Sequence, residues 1–242
     1  MQNEAESSDA VAVDGGPTTA RLGTEQDAQL ARTALLTLAD FEPGWSEVPN
    51  DPEDPFEALY DERDRRLSEC SGRPDSGDLI GASVGEAKAE TGTFTSPDTD
   101  STIDSSVGLA PDVPTAIAGM AELEDPRLPA CLQETFRWFI QTVIDSPPNP
   151  DNALPEGASI GEVTVARLNV APVGDQVVAL RTTLPLQIGG ITVTQYFDLV
   201  FVRSGRALVA LQFGSVWQPF ETNYLDWFTA IAAGRLATIG IQ

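Results

Sequence analysis

Alternating apolar and polar residues in the last third of the chain constrain the fold more than any other feature of the sequence. A period of two indicates β-strands, because successive side chains of a strand point to opposite faces. The connectors include Gly189-Gly190 and Ser204-Gly205, which are short enough for hairpin turns. The pattern therefore predicts a four-stranded antiparallel meander over residues 162–171, 176–188, 191–202 and 206–215.

A helix with an aromatic stripe is predicted after the meander, over residues 218–236. The third strand of the meander has an apolar face that includes Phe197, Leu199 and Phe201, and a more polar opposite face. A helix stripe needs an apolar surface against which it is buried. We therefore expect the aromatic stripe to pack on the Phe197 face. The stripe consists of Phe220, Tyr224, Trp227, Phe228 and Ile231.

The first part of the chain favours helices joined by turns rich in proline and acidic residues. Apolar residues at helical spacing predict helices over residues 24–39, 55–70, 112–124 and 129–144. Asp112 is the predicted N-cap of the third helix. Looser alternation predicts an edge strand within residues 82–96, with its hairpin partner over residues 102–109.

Together these elements predict an α+β fold, in which helices pack against an antiparallel sheet. We expect a disordered leader at residues 1–23, because this segment lacks apolar periodicity and is rich in small and acidic residues. Residues 24–242 are predicted to form a single domain, a length that fits one hydrophobic core. A linker rich in Pro, Asn and Gly lies inside this domain at residues 145–161.

The charge of the chain excludes several classes of partner. The sequence has 37 acidic residues, 14 basic residues and no histidine, which gives a net charge of -23. Nucleic acids and anionic lipid surfaces attract basic proteins, so neither is expected as a partner. Residues 1–161 contain 32 acidic and 9 basic residues, whereas residues 162–242 contain five of each. We therefore expect an acidic coat around a neutral C-terminal half.

The lack of histidine also removes several catalytic mechanisms. Neither Ser-His-Asp nor Cys-His catalysis is possible, and no zinc site with a histidine ligand can form. The single lysine, Lys88, lies in a polar segment, which disfavours it as a catalytic amine. The sequence has no dinucleotide-binding glycine motif, P-loop or nucleophile elbow. We expect no enzymatic activity and no cofactor.

An Asp-Thr-Asp-Ser-Thr string at residues 98–102 matches the pattern of aspartyl phosphatases and also resembles a calcium loop. The phosphatase pattern needs a buried strand before the first aspartate, but Ser96 and Pro97 precede it here. An EF-hand needs glycine where Ile103 stands. The string therefore favours a polar surface turn over a metal or phosphate site.

The only two cysteines, Cys70 and Cys131, allow two interpretations. In an extracytoplasmic protein they form a disulfide that closes a long loop, worth about 3–4 kcal/mol in the chain-entropy model. In a cytosolic protein they are two buried thiols. We favour the disulfide. No stretch of the sequence reaches the roughly 18 apolar residues that a membrane helix needs.

Amphipathic aromatic residues outside the clearest core stripes are candidates for a ligand pocket. We predict Trp45, Tyr60 and Trp217 as ligand-binding residues, with packing at the edge of the core as the alternative. Arg181 and Gln195 interrupt apolar strands and complete the predicted site. Such an interruption is expected of a polar group facing a cleft, and equally of a strand residue facing solvent.

The order of the elements resembles a known class of extracytoplasmic domains. A leading helix runs into LTLADFEPGW, the second cysteine lies in PACLQETF, and the meander and aromatic helix follow. Over roughly residues 24–236 this arrangement resembles the extracytoplasmic domains of actinobacterial envelope lipoproteins and the sensor domain of PknH-type kinases. It also resembles the PsbP-like α/β/α sandwich of LpqN-type lipoproteins. The resemblance implies an envelope-located binding or sensing domain without enzymatic activity.

One functional hypothesis and two alternatives follow from these observations. We expect a non-catalytic, sensor-like binding domain of the cell envelope, secreted or lipid-anchored after removal of a signal segment. Its predicted ligand is lipidic or another small apolar molecule. The first alternative is a protein-interaction module that presents its acidic face to an envelope protein. The second alternative is a hydrolase that uses paired carboxylates.

Overall fold

The meander predicted from the alternating residues forms one side of a large sheet in a computed structural model of the protein. The structure describes residues 18–51, 54–72, 87–97, 99–148 and 153–239, with side chains from residue 25 onward. The helices are α1 (Thr18–Ala34), α2 (Glu57–Ser71), α3 (Val113–Leu123), α4 (Leu128–Asp145) and α5 (Thr222–Ile239). The strands are β1 (Ser46–Val48), β2 (Ala87–Glu90), β3 (Thr93–Thr95), β4 (Thr102–Leu109), β5 (Ser159–Ile160), β6 (Thr164–Arg167), β7 (Gln176–Ile188), β8 (Ile191–Ser204) and β9 (Ala207–Val216).

The described strands form one antiparallel sheet, which confirms the predicted α+β class. Its order is β1-β3-β4-β9-β8-β7-β5, with β2 also paired to β4 and β6 to β7. The run β6-β7-β8-β9 is the predicted four-stranded meander. Gly189 and Gly190 form the two-residue turn between β7 and β8, with φ values of 58° and 86°. Glycine adopts this left-handed conformation without steric cost, so the turn sets the register of the two longest strands.

The strand β4 lies in the middle of the sheet. It pairs with β2 and β3 on one side, as the predicted hairpin partner should, and with β9 on the other. The pairing with β9 runs from Thr102 opposite Gly214 to Leu109 opposite Ala207. The strands of the acidic half and the neutral meander therefore belong to one continuous sheet.

Helices cover both faces of this sheet. On one face, α1 packs against β2 and β4, and α5 packs against β8 and β9. Their core cluster includes Phe94, Val209 and Phe228. On the other face, α3 and α4 pack against the meander, and α2 packs on α4. The second cluster includes Met120, Leu132 and Leu199.

The predicted position of the last helix is wrong in one respect. The helix α5 packs on the face of β8 that carries Val200 and Val202, whereas Leu199 and Phe201 face α3 and α4. The sequence suggested one apolar and one mixed face for this strand. In the structure, residues 198–203 of β8 are buried on both sides, because helices cover both faces of the sheet.

Several element boundaries differ from the predicted ones. The helix α1 begins at Thr18, so residues 18–23 of the predicted leader are helical, and residues 1–17 lie outside the described residues. It ends at Ala34, and a short 3-10 helix follows at Leu38–Asp40. The predicted N-cap Asp112 is confirmed, because its carboxylate accepts a hydrogen bond of 2.8 Å from the amide of Thr115.

The predicted disulfide is present and connects two helices. Cys70, in the last turn of α2, is bonded to Cys131 in the first turns of α4, with Cα atoms 5.6 Å apart. Next to it, the Arg127 guanidinium donates a hydrogen bond of 3.1 Å to the carbonyl oxygen of Ser71. These two links hold α2 on α4, which matters because α2 contacts the sheet less than the other helices do.

Loss of the disulfide should lower the free energy of unfolding by about 3–4 kcal/mol, because the unfolded chain regains the entropy of an open loop. Urea unfolding of the wild type with and without dithiothreitol measures this difference. The double variant Cys70→Ser/Cys131→Ser should be as unstable as the reduced wild type and insensitive to the reductant. An unchanged urea midpoint after reduction would contradict a stabilising role for the bond.

Candidate functional site

A cleft of about 820 Å³ lies between the sheet and the helices α2 and α4. We call it the sheet–helix cleft and define it by two sets of residues. The first is a polar strip on β4 and β9, and the second is an aromatic wall from α2, α4 and β8. Clefts of this size that combine apolar walls with a few converging polar groups are typical of small-molecule sites.

The polar strip consists of Asp104, Ser106 and Gln212. Asp104 and Ser106 are two positions apart on β4, so they point to the same face, and Gln212 on β9 is paired opposite Asp104. The alternate residues Ile103 and Val107 are fully buried on the other face, under α1 and α5. The alternation of β4 thus directs its polar side chains toward α2 and α4.

The aromatic wall faces this strip. The ring of Tyr60 on α2 is stacked on Phe139 of α4, with centroids 5.6 Å apart and an angle of 11° between the planes. Phe136 of α4 is stacked on Phe197 of β8, with centroids 6.1 Å apart. Phe136, Phe139 and Ile140 lie on one side of α4 because they are three and four residues apart. The wall therefore combines three elements of the fold.

Both basic residues of the cleft are engaged in ion pairs at its rim. The Arg63 guanidinium lies 2.8 Å from the Asp64 carboxylate, and it also lies over the Tyr60 ring at 5.0 Å from the centroid. The Lys88 ammonium lies 3.3 Å from the Glu90 carboxylate. These pairs neutralise the positive charge of the cleft, so its remaining carboxylates give it negative character.

Burial changes the protonation of two groups in the cleft. It raises the pKa of Asp104, and a hydrogen bond with Thr93 offsets part of the effect. It also raises the pKa of Tyr60, to which the nearby Asp54 contributes in the same direction. Both shifts favour the neutral form, in which the carboxyl and the phenol can each donate a hydrogen bond.

The hydroxyl of Ser106 is buried and unused. Ser106 is 8% exposed, and its Oγ has no hydrogen-bond partner among the described residues. A buried polar atom without a partner destabilises a fold by about 1–3 kcal/mol. Its neighbour Ser105 points to the other face, where its Oγ accepts a hydrogen bond of 3.1 Å from the amide of Leu36. The strand thus carries one satisfied and one unsatisfied hydroxyl in adjacent positions.

The five residues predicted to bind a ligand do not form one site. Tyr60 lines the sheet–helix cleft, whereas Trp45 and Trp217 line a second pocket of about 570 Å³. We call this second cavity the tryptophan pocket. It lies beside the first turn of α5 and the end of β9.

Arg181 has a structural contact instead of a place in either cavity. Its guanidinium makes two hydrogen bonds of 2.6 Å to the carboxylate of Asp198, which is 1% exposed. It donates a further bond of 3.0 Å to the carbonyl of Phe220. Gln195 lies on β8 opposite Leu184, and it lines neither cavity.

Sequence reasoning missed the polar strip. Asp104 and Ser106 fall within the predicted strand over residues 102–109, but that strand was predicted only as the hairpin partner of an edge strand, with no other neighbour. The signal that could have revealed them is the alternation itself, since Ile103 and Val107 require one buried face. The polar face of this strand becomes the floor of a cleft only because β4 pairs with β9 and the helices α2 and α4 pack over that face.

The described residues include no group of three or more His, Cys, Asp or Glu side chains that could hold a metal ion. Of the aspartate string at 98–102, Asp98 lies outside the described residues, and Thr102 is already the first residue of β4. No helix within the described ranges is long and apolar enough to cross a membrane.

Comparison with known proteins shows a distant structural likeness. The sequence matches no protein-family model and no curated protein. Among solved structures, the chain is similar to the extracellular domain of PknH from Mycobacterium tuberculosis. The TM-score is 0.40 and the sequence identity 10%, over 89% of this chain and 97% of that chain. A likeness at this level shows neither a shared family nor a shared function.

Asp104→Asn should stabilise the protein increasingly as the pH rises. Because the folded-state pKa of Asp104 is raised, the contribution of this carboxyl to stability is complete below its unfolded pKa and is lost as pH rises through the folded pKa. The asparagine amide does not titrate in this range, so the variant does not lose stability in this way. Urea midpoints of both proteins between pH 3.5 and 7.5 measure the difference, with Glu156→Gln in an exposed turn as the control. A constant difference across this range would contradict a desolvated Asp104.

Proposed function

We propose that this protein is a non-catalytic, extracytoplasmic binding domain that holds a small amphipathic molecule in the sheet–helix cleft. One observation carries the proposal: a polar strip with a buried, unpartnered hydroxyl at Ser106 lies on a sheet face that helices otherwise cover with apolar residues. Polar residues in such a place are uncommon unless they are hydrogen-bonded. The hydroxyl of Ser106 has no partner among the described residues, and a bound ligand would supply one.

The shape of the cleft favours a ligand with an apolar and a polar part. The apolar part is expected to lie against Phe136, Phe139 and Ile140, where it gains about 25 cal/mol for each Å² of apolar surface removed from water. The polar part is then directed toward Ser106 and Gln212, whose side chains can donate and accept hydrogen bonds. This proposal sharpens the predicted apolar ligand into an amphipathic one.

The charges of the cleft favour an uncharged head group. Its carboxylates outnumber its basic residues, and Arg63 and Lys88 are already paired with Asp64 and Glu90. An anionic head group would meet repulsion from the carboxylates of Glu57, Asp61 and Glu90, while both basic residues of the cleft are already engaged. A head group rich in hydroxyls fits the strip, since each hydroxyl both donates and accepts.

The disulfide supports an extracytoplasmic location. Stable disulfides form in oxidising compartments and are rare in the cytosol, where thiols are kept reduced. The bond between Cys70 and Cys131 is therefore consistent with a protein that acts outside the cytoplasm, as the resemblance to envelope proteins implies. Attachment by a lipid anchor stays a prediction.

The two alternatives from the sequence receive different support. The acidic face is partly neutralised on α2, where Glu62 makes ion pairs with Arg65 and Arg66, and this weakens its use as a docking surface. A hydrolase gains one observation in its favour, because a carboxyl with a raised pKa in a cleft is a candidate general acid. Asp104 is that carboxyl.

Binding of n-octyl glucoside, below its critical micelle concentration, tests the proposed function. We expect calorimetric titration to show binding of the glucoside, and no binding of glucose or octanoate. Glucose lacks the apolar chain, and octanoate carries a negative charge. Conversion of the glucoside to glucose during the titration would instead identify a hydrolase. If octanoate binds as tightly as the glucoside, the proposed ligand class is wrong.

Ser106→Ala should change stability and binding in opposite directions. The variant removes an unsatisfied buried hydroxyl, so the free protein should unfold at equal or higher urea concentration. The same change should weaken glucoside binding about fivefold to tenfold, the worth of one hydrogen bond. The matched control is Ser105→Ala. Ser105 also borders the cleft, but its Oγ is bonded to the Leu36 amide on the other face of the strand, so this variant should lower stability without changing binding. Equal binding of the glucoside by Ser106→Ala and wild type would show that the polar strip does not contribute to the binding site.

A further inference from the structure

The tryptophan pocket lies apart from the sheet–helix cleft and combines aromatic rings from three segments. Trp45 precedes β1, Trp217 follows β9, Phe220 lies just before α5, and Tyr224 lies in the first turn of α5. The rings of Phe220 and Tyr224 are stacked at 5.5 Å, and Trp45 packs on Phe41 at 4.9 Å. The walls that hold these rings are therefore part of the folded core.

Trp217 is presented to this pocket by an unusual backbone conformation. Its φ is 74°, in the left-handed region that bulky residues rarely adopt. Its amide is bonded to the carbonyl of Thr194 at 2.8 Å, which fixes the backbone, while the residue remains 57% exposed. A large apolar ring held outward in this way does not contribute to the core.

A buried hydroxyl also faces the pocket without a partner. Ser215 is 7% exposed, lines the pocket, and its Oγ has no hydrogen-bond partner among the described residues. Ser215 lies two residues after Phe213 on the same face of β9, under the start of α5. A polar atom in this position is expected to bind either water or a polar group of a ligand.

The charge of the pocket is negative. Two glutamates, Glu42 and Glu221, line it, and none of its described lining residues is basic. Glu221 directly precedes α5, so its carboxylate offsets the positive end of the helix dipole. Glu42 forms no ion pair with any described basic side chain, and it lies near enough to Tyr224 to reinforce the rise in the pKa of that phenol that burial causes.

From these four features we propose that the tryptophan pocket binds a compact organic cation, namely a substituted ammonium or guanidinium group. Aromatic faces attract such cations through their quadrupoles, and tryptophan is the most effective of them. Glu42 supplies the counter-charge, and the hydroxyl of Ser215 accepts a hydrogen bond from any polar substituent. The net charge of -23 adds long-range attraction for cations.

Three probes separate the charge of the ligand from its shape and source. Choline carries the cation as a free small molecule, and Nα-acetyl-arginine amide carries it as a peptide side chain. The alcohol 3,3-dimethyl-1-butanol has the shape of choline without its charge. We expect one or both cations to shift the indole N–H signals of Trp45 and Trp217 in ¹⁵N-labelled full-length protein. The signals of Trp138 and Trp227, which do not line the pocket, should move little.

Trp217→Gly and Glu42→Gln identify the groups that bind the cation. Each should weaken binding of the preferred cation about tenfold. Trp217→Gly should keep or raise the urea midpoint, because glycine adopts a φ of 74° without strain. Loss of binding therefore cannot come from unfolding. Trp227→Ala removes a comparably exposed tryptophan of α5 outside the pocket and should bind like the wild type.

The outcomes decide the proposal in either direction. Tighter binding of choline assigns the pocket to a small ammonium compound, and tighter binding of the arginine derivative assigns it to a side chain of a protein partner. The proposal is overturned if neither cation shifts the two indole signals, if the neutral alcohol binds as tightly, or if Glu42→Gln binds as tightly as wild type. The glucoside titration concerns the other cavity, so its result is independent of this one.

Discussion

The pairing of β4 with β9 is the constraint on which the rest of the structure depends. It joins a strand of the acidic half to the last strand of the neutral meander over eight residue pairs. It also sets which side chains face which helices: Ile103 and Val107 face α1 and α5, whereas Asp104 and Ser106 face α2 and α4. A slip of one residue would exchange the two faces and bury a carboxylate in the α1 and α5 core.

The arginines of the C-terminal half act as links between layers. Arg206 of the β8–β9 turn pairs with Asp27 of α1 at 2.5 Å, and Arg235 of α5 pairs with Asp40 at 2.7 Å. Arg181 holds the buried Asp198 of the neighbouring strand. The division into an acidic and a neutral half is therefore not a division in space. Some acidic residues of the first half serve as partners for basic residues of the second.

The clearest sequence patterns predicted the elements but not all of their neighbours. The strands of the meander, Gly189-Gly190, the N-cap Asp112 and the disulfide partners could be predicted because each depends on residue spacing or on a choice between two cysteines. The face that α5 covers was predicted wrongly. The strand β8 is buried on both sides over residues 198–203, and its residues from Leu199 to Val202 are apolar on both faces. A prediction that assumes a single apolar face therefore cannot identify the face that α5 covers.

By itself, the sequence determined the local structure, the absence of histidine chemistry and the acidic character of the first half. Only the tertiary structure decided that Asp104 lies opposite Gln212, that Tyr60 and the two tryptophans Trp45 and Trp217 belong to different cavities, and that Arg181 is held by Asp198. Periodicity depends on residues a few positions apart, whereas a cavity depends on distant segments that meet only when the chain has folded. Asp104 and Gln212 are about a hundred residues apart, and no local pattern carries that contact.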